Sequence, residues 1–186
     1  PFADVKSTAY YADAVLWAAK EDITKGTTNT TFSPAGTLTR GQVVAMLYRM
    51  AGSPAVTANT TGFSDVDNGA YYADAVKWAS GKEIVGGYAD GTFAPNRAIT
   101  REQLAAILYR YAKANGADIS VGEDTNLLSY KDFQSVGQYA VPALQWAVGS
   151  GLIGGTTNAM LSPKGTATRA QAAVILVRFV GMTAAK

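Results

Sequence analysis

Apolar residues recur along this chain at helical rather than strand spacing. Ala14, Trp17 and Ala18 share one face of a helix predicted near residues 10–20, and the pattern returns near 71–80 and 139–149. A second stripe, Val43, Val44 and Leu47, returns as Leu104, Ile107 and Leu108 and again as Ala172, Ile175 and Leu176. Each second stripe follows a capping-box sequence: Thr39-Arg40-Gly41-Gln42, Thr100-Arg101-Glu102-Gln103 and Thr168-Arg169-Ala170-Gln171. There the Thr hydroxyl accepts from the third helical N–H and the Gln side chain reaches back to the cap. The unit is helix, loop, helix, and the prediction is an all-α fold of six helices. One such pair is too small to bury its own apolar stripe, so the copies have to pack on one another.

Fixed spacings confirm three copies. An aromatic residue two before an Asp opens each one: Phe2 and Asp4, Phe63 and Asp65, Tyr130 and Asp132. Trp17, Trp78 and Trp146 follow, then Gly26, Gly87 and Gly155, then Pro34, Pro95 and Pro163. A second Arg lies beyond each capping box, at Arg49, Arg110 and Arg178. The copies are delimited as 1–51, 62–112 and 130–181, joined by linkers 52–61 and 113–129 that interrupt the helical periodicity with Gly, Pro or Asn. Together they are expected to form one cooperative module. Pro1 reads as the cut edge of a longer protein.

Composition then narrows the chemistry. The 186 residues contain no His and no Cys, which removes imidazole acid–base catalysis, thiol nucleophiles, disulfides and the usual zinc sites. Carboxylate, Lys and Tyr chemistry remain open, but no constellation of them stands out, and the chain is read as a non-enzyme without metal or cofactor. With 16 Lys and Arg against 14 Asp and Glu the net charge is +2, far from the basic excess of a nucleic-acid binder. No apolar run is long enough to span a membrane.

The Arg after each capping Thr is the sharpest signal. Arg40, Arg101 and Arg169 sit at the first helical position, where a cation faces the positive end of the helix dipole. Three occurrences point to an anion held by guanidinium and helix N-terminus together. The structural alternative is a salt bridge to Asp4, Asp65 or Asp132. Trp17, Trp78 and Trp146 either stack on sugar rings or pack in the core. Gly26, Gly87 and Gly155 suit the left-handed position just past a helix end. Of the pairs Tyr10-Tyr11 and Tyr71-Tyr72, one member of each is free to line a groove. Arg49, Arg110 and Arg178 suit a helix C-terminal end, and Asn29, Asp90 and Asn158 suit turns.

These anchors resemble the S-layer homology repeat. Copy 2 carries the match most fully, with Phe63-Ser64-Asp65-Val66, then Gly87-Tyr88-Ala89-Asp90-Gly91-Thr92-Phe93-Ala94-Pro95, then Ile99-Thr100-Arg101-Glu102-Gln103. The resemblance implies an intrachain pseudo-threefold trimer with a central helical bundle and binding grooves between copies. It implies a non-covalent anchor of a bacterial surface protein, extracellular at the cell wall or S-layer and monomeric as an isolated module. The implied partner is an anionic secondary cell-wall polysaccharide bearing pyruvate ketals, with direct peptidoglycan binding or self-assembly of a surface array as alternatives. By the family pattern Arg40, Arg101 and Arg169 hold the ligand and the Gly-rich loops around Gly26, Gly87 and Gly155 supply backbone groups; Trp17, Trp78 and Trp146 are carried as binding candidates on their own stacking chemistry. With all three Arg present, at least two competent sites are expected, and Arg101→Ala is expected to weaken binding with little loss of melting temperature. Copy 3 departs in having Pro142 where the others have Asp13 and Asp74. Copies 1 and 3 depart in having Thr27-Thr28-Asn29 and Thr156-Thr157-Asn158 in the loop.

Overall fold

The computed structural model describes residues 2–184, so the edge read at Pro1 lies outside the described residues. Six α-helices appear where the periodicity places them. They are α1 (Ala12–Lys20), α2 (Arg40–Met50), α3 (Ala73–Gly81), α4 (Arg101–Ala114), α5 (Val141–Gly149) and α6 (Arg169–Ala184). Among the described residues there is no strand, only three isolated antiparallel bridges at Thr39 with Ala98, Thr100 with Thr166 and Thr37 with Thr168. No helix of these residues is long and apolar enough to cross a membrane.

The helix starts follow local chemistry. In α2 and α4 both halves of the capping box form, and in α6 Thr168 and Gln171 exchange the same pair of bonds. The first helix of each copy has no side-chain cap, but Asp13 and Asp74 lie in the first turns of α1 and α3, where a carboxylate meets the positive dipole end. Pro142 occupies the same turn of α5, where a missing N–H costs nothing. The departure of copy 3 at Pro142 is therefore compatible with the same helix start.

The helix ends differ from expectation. The left-handed residues just past α1, α3 and α5 are Asp22, Glu83 and Gly151, not Gly26, Gly87 and Gly155. Those three glycines lie further along the loop; Gly26 is itself left-handed there, and all three answer a steric demand. A Cβ on Gly26 would strike the Phe2 ring and the Thr31 carbonyl, one on Gly87 the Phe63 ring, and one on Gly155 the Tyr130 ring. The opening aromatic of each copy is folded onto its own loop.

The described chain forms two compact units. The first comprises residues up to Ala98 with Thr168–Val177, and the second Ile99–Ala167 with the residues from Arg178 onward. In the first, α2 packs on α3, with Tyr48 and Trp78 rings 5.5 Å apart, and the first half of α6 packs Ala173 against Ala14, Val15 and Phe32. In the second, α4 packs on α5, with Tyr109 and Trp146 rings 5.7 Å apart, and Phe179 closes over Trp146. The second helix of one copy thus covers the first helix of another, which is how each stripe is buried.

Candidate functional site

The start of each second helix is where the Arg sits, and its backbone donors are already used. Arg40 N–H donates to Arg97 O and Gly41 N–H to Pro95 O; Arg101 and Glu102 donate likewise to Gly165 O and Pro163 O, and Arg169 and Ala170 to Gly36 O and Pro34 O. The third N–H is taken by the capping Thr. The expectation that a helix N-terminus shares an anion with the Arg is therefore corrected: protein carbonyls fill the donors that would be needed.

The guanidinium groups continue that docking. Arg40 is buried and donates from Nε to Phe93 O at 2.8 Å and from Nη2 to Gly86 O at 3.0 Å, with Tyr88 and Phe93 rings beside it. Arg101 donates equivalently to Leu161 O at 2.9 Å and Gly154 O at 2.7 Å. Arg169 donates from Nε to Phe32 O at 2.7 Å and lies over the Phe32 ring. These carbonyl bonds offset the unfavourable placement of a cation at the first helical position.

The salt-bridge alternative is replaced by an indirect link. Asp4 accepts from Phe32 and Ser33 N–H, Asp65 from Phe93 and Ala94 N–H, and Asp132 from Leu161 and Ser162 N–H, all at 2.7–2.8 Å. Ser33, Ala94 and Ser162 are left-handed, which turns two successive N–H groups toward one carboxylate. Burial pushes the guanidinium pKa of Arg101 and Arg169 down from the ordinary arginine range, with Asp132 opposing for the first, and Tyr71 and then Asp4 for the second.

Beside Arg169 the first unit opens a cavity of about 340 Å³. Its walls include Lys25, Gly26 and Thr27 from the loop of copy 1, Arg49 from α2, and Tyr71. Arg49 donates from Nη1 to Ile23 O at 3.3 Å. Tyr71 is well exposed, and what burial it has raises its hydroxyl pKa above 10.0. Three cations and a phenol stand around one opening with no carboxylate in the lining, an arrangement whose charge and donors suit an anion.

The sequence model of the S-layer homology domain matches residues 1–44, 62–105 and 129–173. The chain belongs to the S-layer homology domain family. Membership makes it an anchoring rather than a catalytic domain, placed at the cell surface. It is 35% identical over 176 residues to an endoglucanase of a Bacillus species, covering 95% of this chain and 18% of that protein. It is 27% identical over 157 residues to the cellulosome-anchoring protein of Acetivibrio thermocellus, covering 83% of this chain and 34% of that protein. A surface-layer 125 kDa protein of Lysinibacillus sphaericus is 27% identical over 180 residues, 94% of this chain and 14% of its own length. The chain spans less than a fifth of the length of the first curated relatives it matches.

Within this S-layer homology module the other expected site residues are distributed unevenly. Trp146 is fully buried against Tyr109 and Phe179, and Trp78 is buried against Tyr48, so both are core residues and not stacking platforms. Trp17 is half-buried, in keeping with Val177 standing in copy 3 where Tyr48 and Tyr109 stand in the others. Gly26 lines the cavity, while Gly87 and Gly155 lie under Phe63 and Tyr130. Asp90 makes the expected turn bonds to Thr92, and Asn158 is left-handed. Two cavity residues carry no binding signal in the sequence: Arg49 suits the helix dipole, and Lys25 is not repeated in the other copies.

Proposed function

We propose that the chain is a non-covalent cell-wall anchor that binds an anionic secondary cell-wall polysaccharide, with pyruvate ketals as the acidic groups. The observation that carries this reading is the grouping of Lys25, Arg49 and Arg169 with Tyr71 around one cavity without an acidic wall. A ketal carboxylate offers two oxygens for a guanidinium fork, and its methyl group and sugar ring offer apolar area to a phenol. The cellulosome-anchoring and surface-layer names among the relatives fit a wall-attachment role. A repeating polymer also lets a weak single contact gain from rebinding along the chain.

The test is a binding isotherm of the whole chain against purified wall polysaccharide, before and after chemical removal of its pyruvate groups. Saturable binding lost on depyruvylation is the expected result. Equal binding to both preparations removes the pyruvate assignment, and retention on sacculi stripped of the secondary polymer transfers the role to peptidoglycan.

A further inference from the structure

The three Arg residues occupy equivalent positions but are used differently. Arg40 and Arg101 each make two bonds to main-chain carbonyls, the second one from Nη2 to Gly86 O or Gly154 O. In copy 1 the residue equivalent to Gly86 and Gly154 is Lys25, and among the described residues the Arg169 guanidinium makes its Nε bond, to Phe32 O, and no second one. Arg169 is nevertheless 5% exposed, so a nearly buried cation presents its terminal nitrogens with no hydrogen-bond acceptor among the described residues.

The loops explain the difference. The local sequences are Thr24-Lys25-Gly26, Val85-Gly86-Gly87 and Ile153-Gly154-Gly155. The Thr24 hydroxyl accepts the Gly26 N–H at 3.3 Å, a bond Val85 and Ile153 have no atom to make. Gly26 is left-handed at φ 80°, whereas Gly87 and Gly155 are not in that region. The peptide before Gly26 is therefore turned differently from its counterparts. Lys25 also adds an exposed ammonium to the cavity wall, where the other two loops have a glycine.

We propose that Thr24-Lys25-Gly26 makes the cavity of Arg169 the principal acid-binding site of the chain, and that the Gly-Gly loops of copies 2 and 3 hold Arg40 and Arg101 as structural clamps. The proposal rests on the acidic-polysaccharide reading and sharpens it from three equivalent grooves to one. The ligand class is a carboxylate-bearing glycan that supplies the acceptors Arg169 lacks. Lys25 is the residue that distinguishes this site from its two relatives.

The experiment is calorimetric titration of the whole chain with purified pyruvylated wall polysaccharide and with a methyl glycoside carrying one pyruvate ketal. One glycoside site per chain is expected. Losing a charge-assisted contact is expected to cost roughly ten- to hundred-fold in affinity in Arg169→Gln and in the double variant Thr24→Val with Lys25→Gly. Arg101→Gln, measured at a temperature where circular dichroism shows it folded, is expected to keep wild-type affinity while melting lower. The double variant is expected to melt no lower than wild type, because its loop then offers Arg169 a second carbonyl. Equal affinity losses in Arg101→Gln and Arg169→Gln, or unchanged affinity in the double variant, overturn the single-site proposal and leave the polysaccharide reading standing. A folded wild-type chain that binds neither ligand overturns both.

Discussion

Arg40 and Asp65 grip the same residue from opposite ends: the Arg40 Nε–H donates to the Phe93 carbonyl at 2.8 Å while the Phe93 N–H donates to Asp65 at 2.7 Å. Two charges act through one neutral residue, and hydrogen bonds in series polarise one another in a low-dielectric setting. Arg101 and Asp132 do this at Leu161, and Arg169 and Asp4 at Phe32. The carboxylate comes from the copy that owns the loop and the Arg from another copy. This explains why an opening Asp and a Thr-Arg pair recur together: one shapes the loop and the other docks upon it.

Arg101 should therefore matter for stability. Replacing it by Met keeps the apolar stem but leaves Leu161 O and Gly154 O without their donors; two such losses amount to on the order of 3 kcal/mol. Thermal denaturation followed by circular dichroism should show a clear fall in Tm. The sequence-based expectation that Arg101→Ala spares the melting temperature is reversed, because the guanidinium is buried against protein carbonyls. An unchanged Tm in Arg101→Met rules out the clamp.

Acid should loosen the copy 1 loop through Asp4. The Phe32 N–H, and after it Ser33, hold the Asp4 carboxyl below its ordinary value of 3.8. The unfolded chain then binds this proton more readily than the folded one, so stability rises with pH across the window between the two values. The contribution is complete above 3.8 and disappears as pH falls through the lower folded value. Asp4→Asn should lower Tm at neutral pH and flatten the acid limb of a Tm-versus-pH curve. A variant curve parallel to wild type below 3.8 contradicts this assignment.

Much of this architecture can be read from residue spacing, because helices and capping boxes depend on local chemistry. Thr39 and Gln42 carry their bonding pattern within four residues, and Pro142 at a helix start is understandable as soon as the helix is placed. The Arg contacts are different in kind. Their acceptors are main-chain carbonyls, which every residue has, so nothing in the composition of Phe93 or Gly86 marks them as partners. Gly87 and Gly155 are hard to read for a similar reason, since a steric demand imposed by an aromatic ring from far along the chain looks the same in sequence as a helix-end demand. Lys25 carries no repeat signal, because Gly86 and Gly154 stand at its position in the other copies.

The tryptophans should separate by burial. Trp146 is fully enclosed, so Trp146→Ala removes a large side chain from a closed core and should cost about 3–5 kcal/mol. Trp17 is half-buried and leaves a space that solvent reaches, so Trp17→Ala should cost distinctly less. Urea denaturation of the two variants at one temperature gives the comparison. Equal costs contradict the uneven burial of the two positions.

The coupling between opening aromatic and loop glycine can be isolated at Gly87, whose backbone is not left-handed, so that strain there is steric alone. A Cβ at this position meets the Phe63 ring and the Thr92 carbonyl, and overpacking of this kind costs about 1–3 kcal/mol. Phe63 is held over the loop, since Ser64 N–H donates to Gly91 O and the Phe63 and Phe93 rings are 5.5 Å apart. A smaller side chain at residue 63 relieves the ring contact, while the Thr92 carbonyl contact stays. Phe63→Leu should therefore destabilise on its own, yet Gly87→Ala should cost less in the Phe63→Leu background than in wild type. Residues in contact show interaction energies of about 0.5–3 kcal/mol in such a cycle. Strict additivity in a double-mutant cycle of unfolding free energies means the glycine answers to something other than the ring.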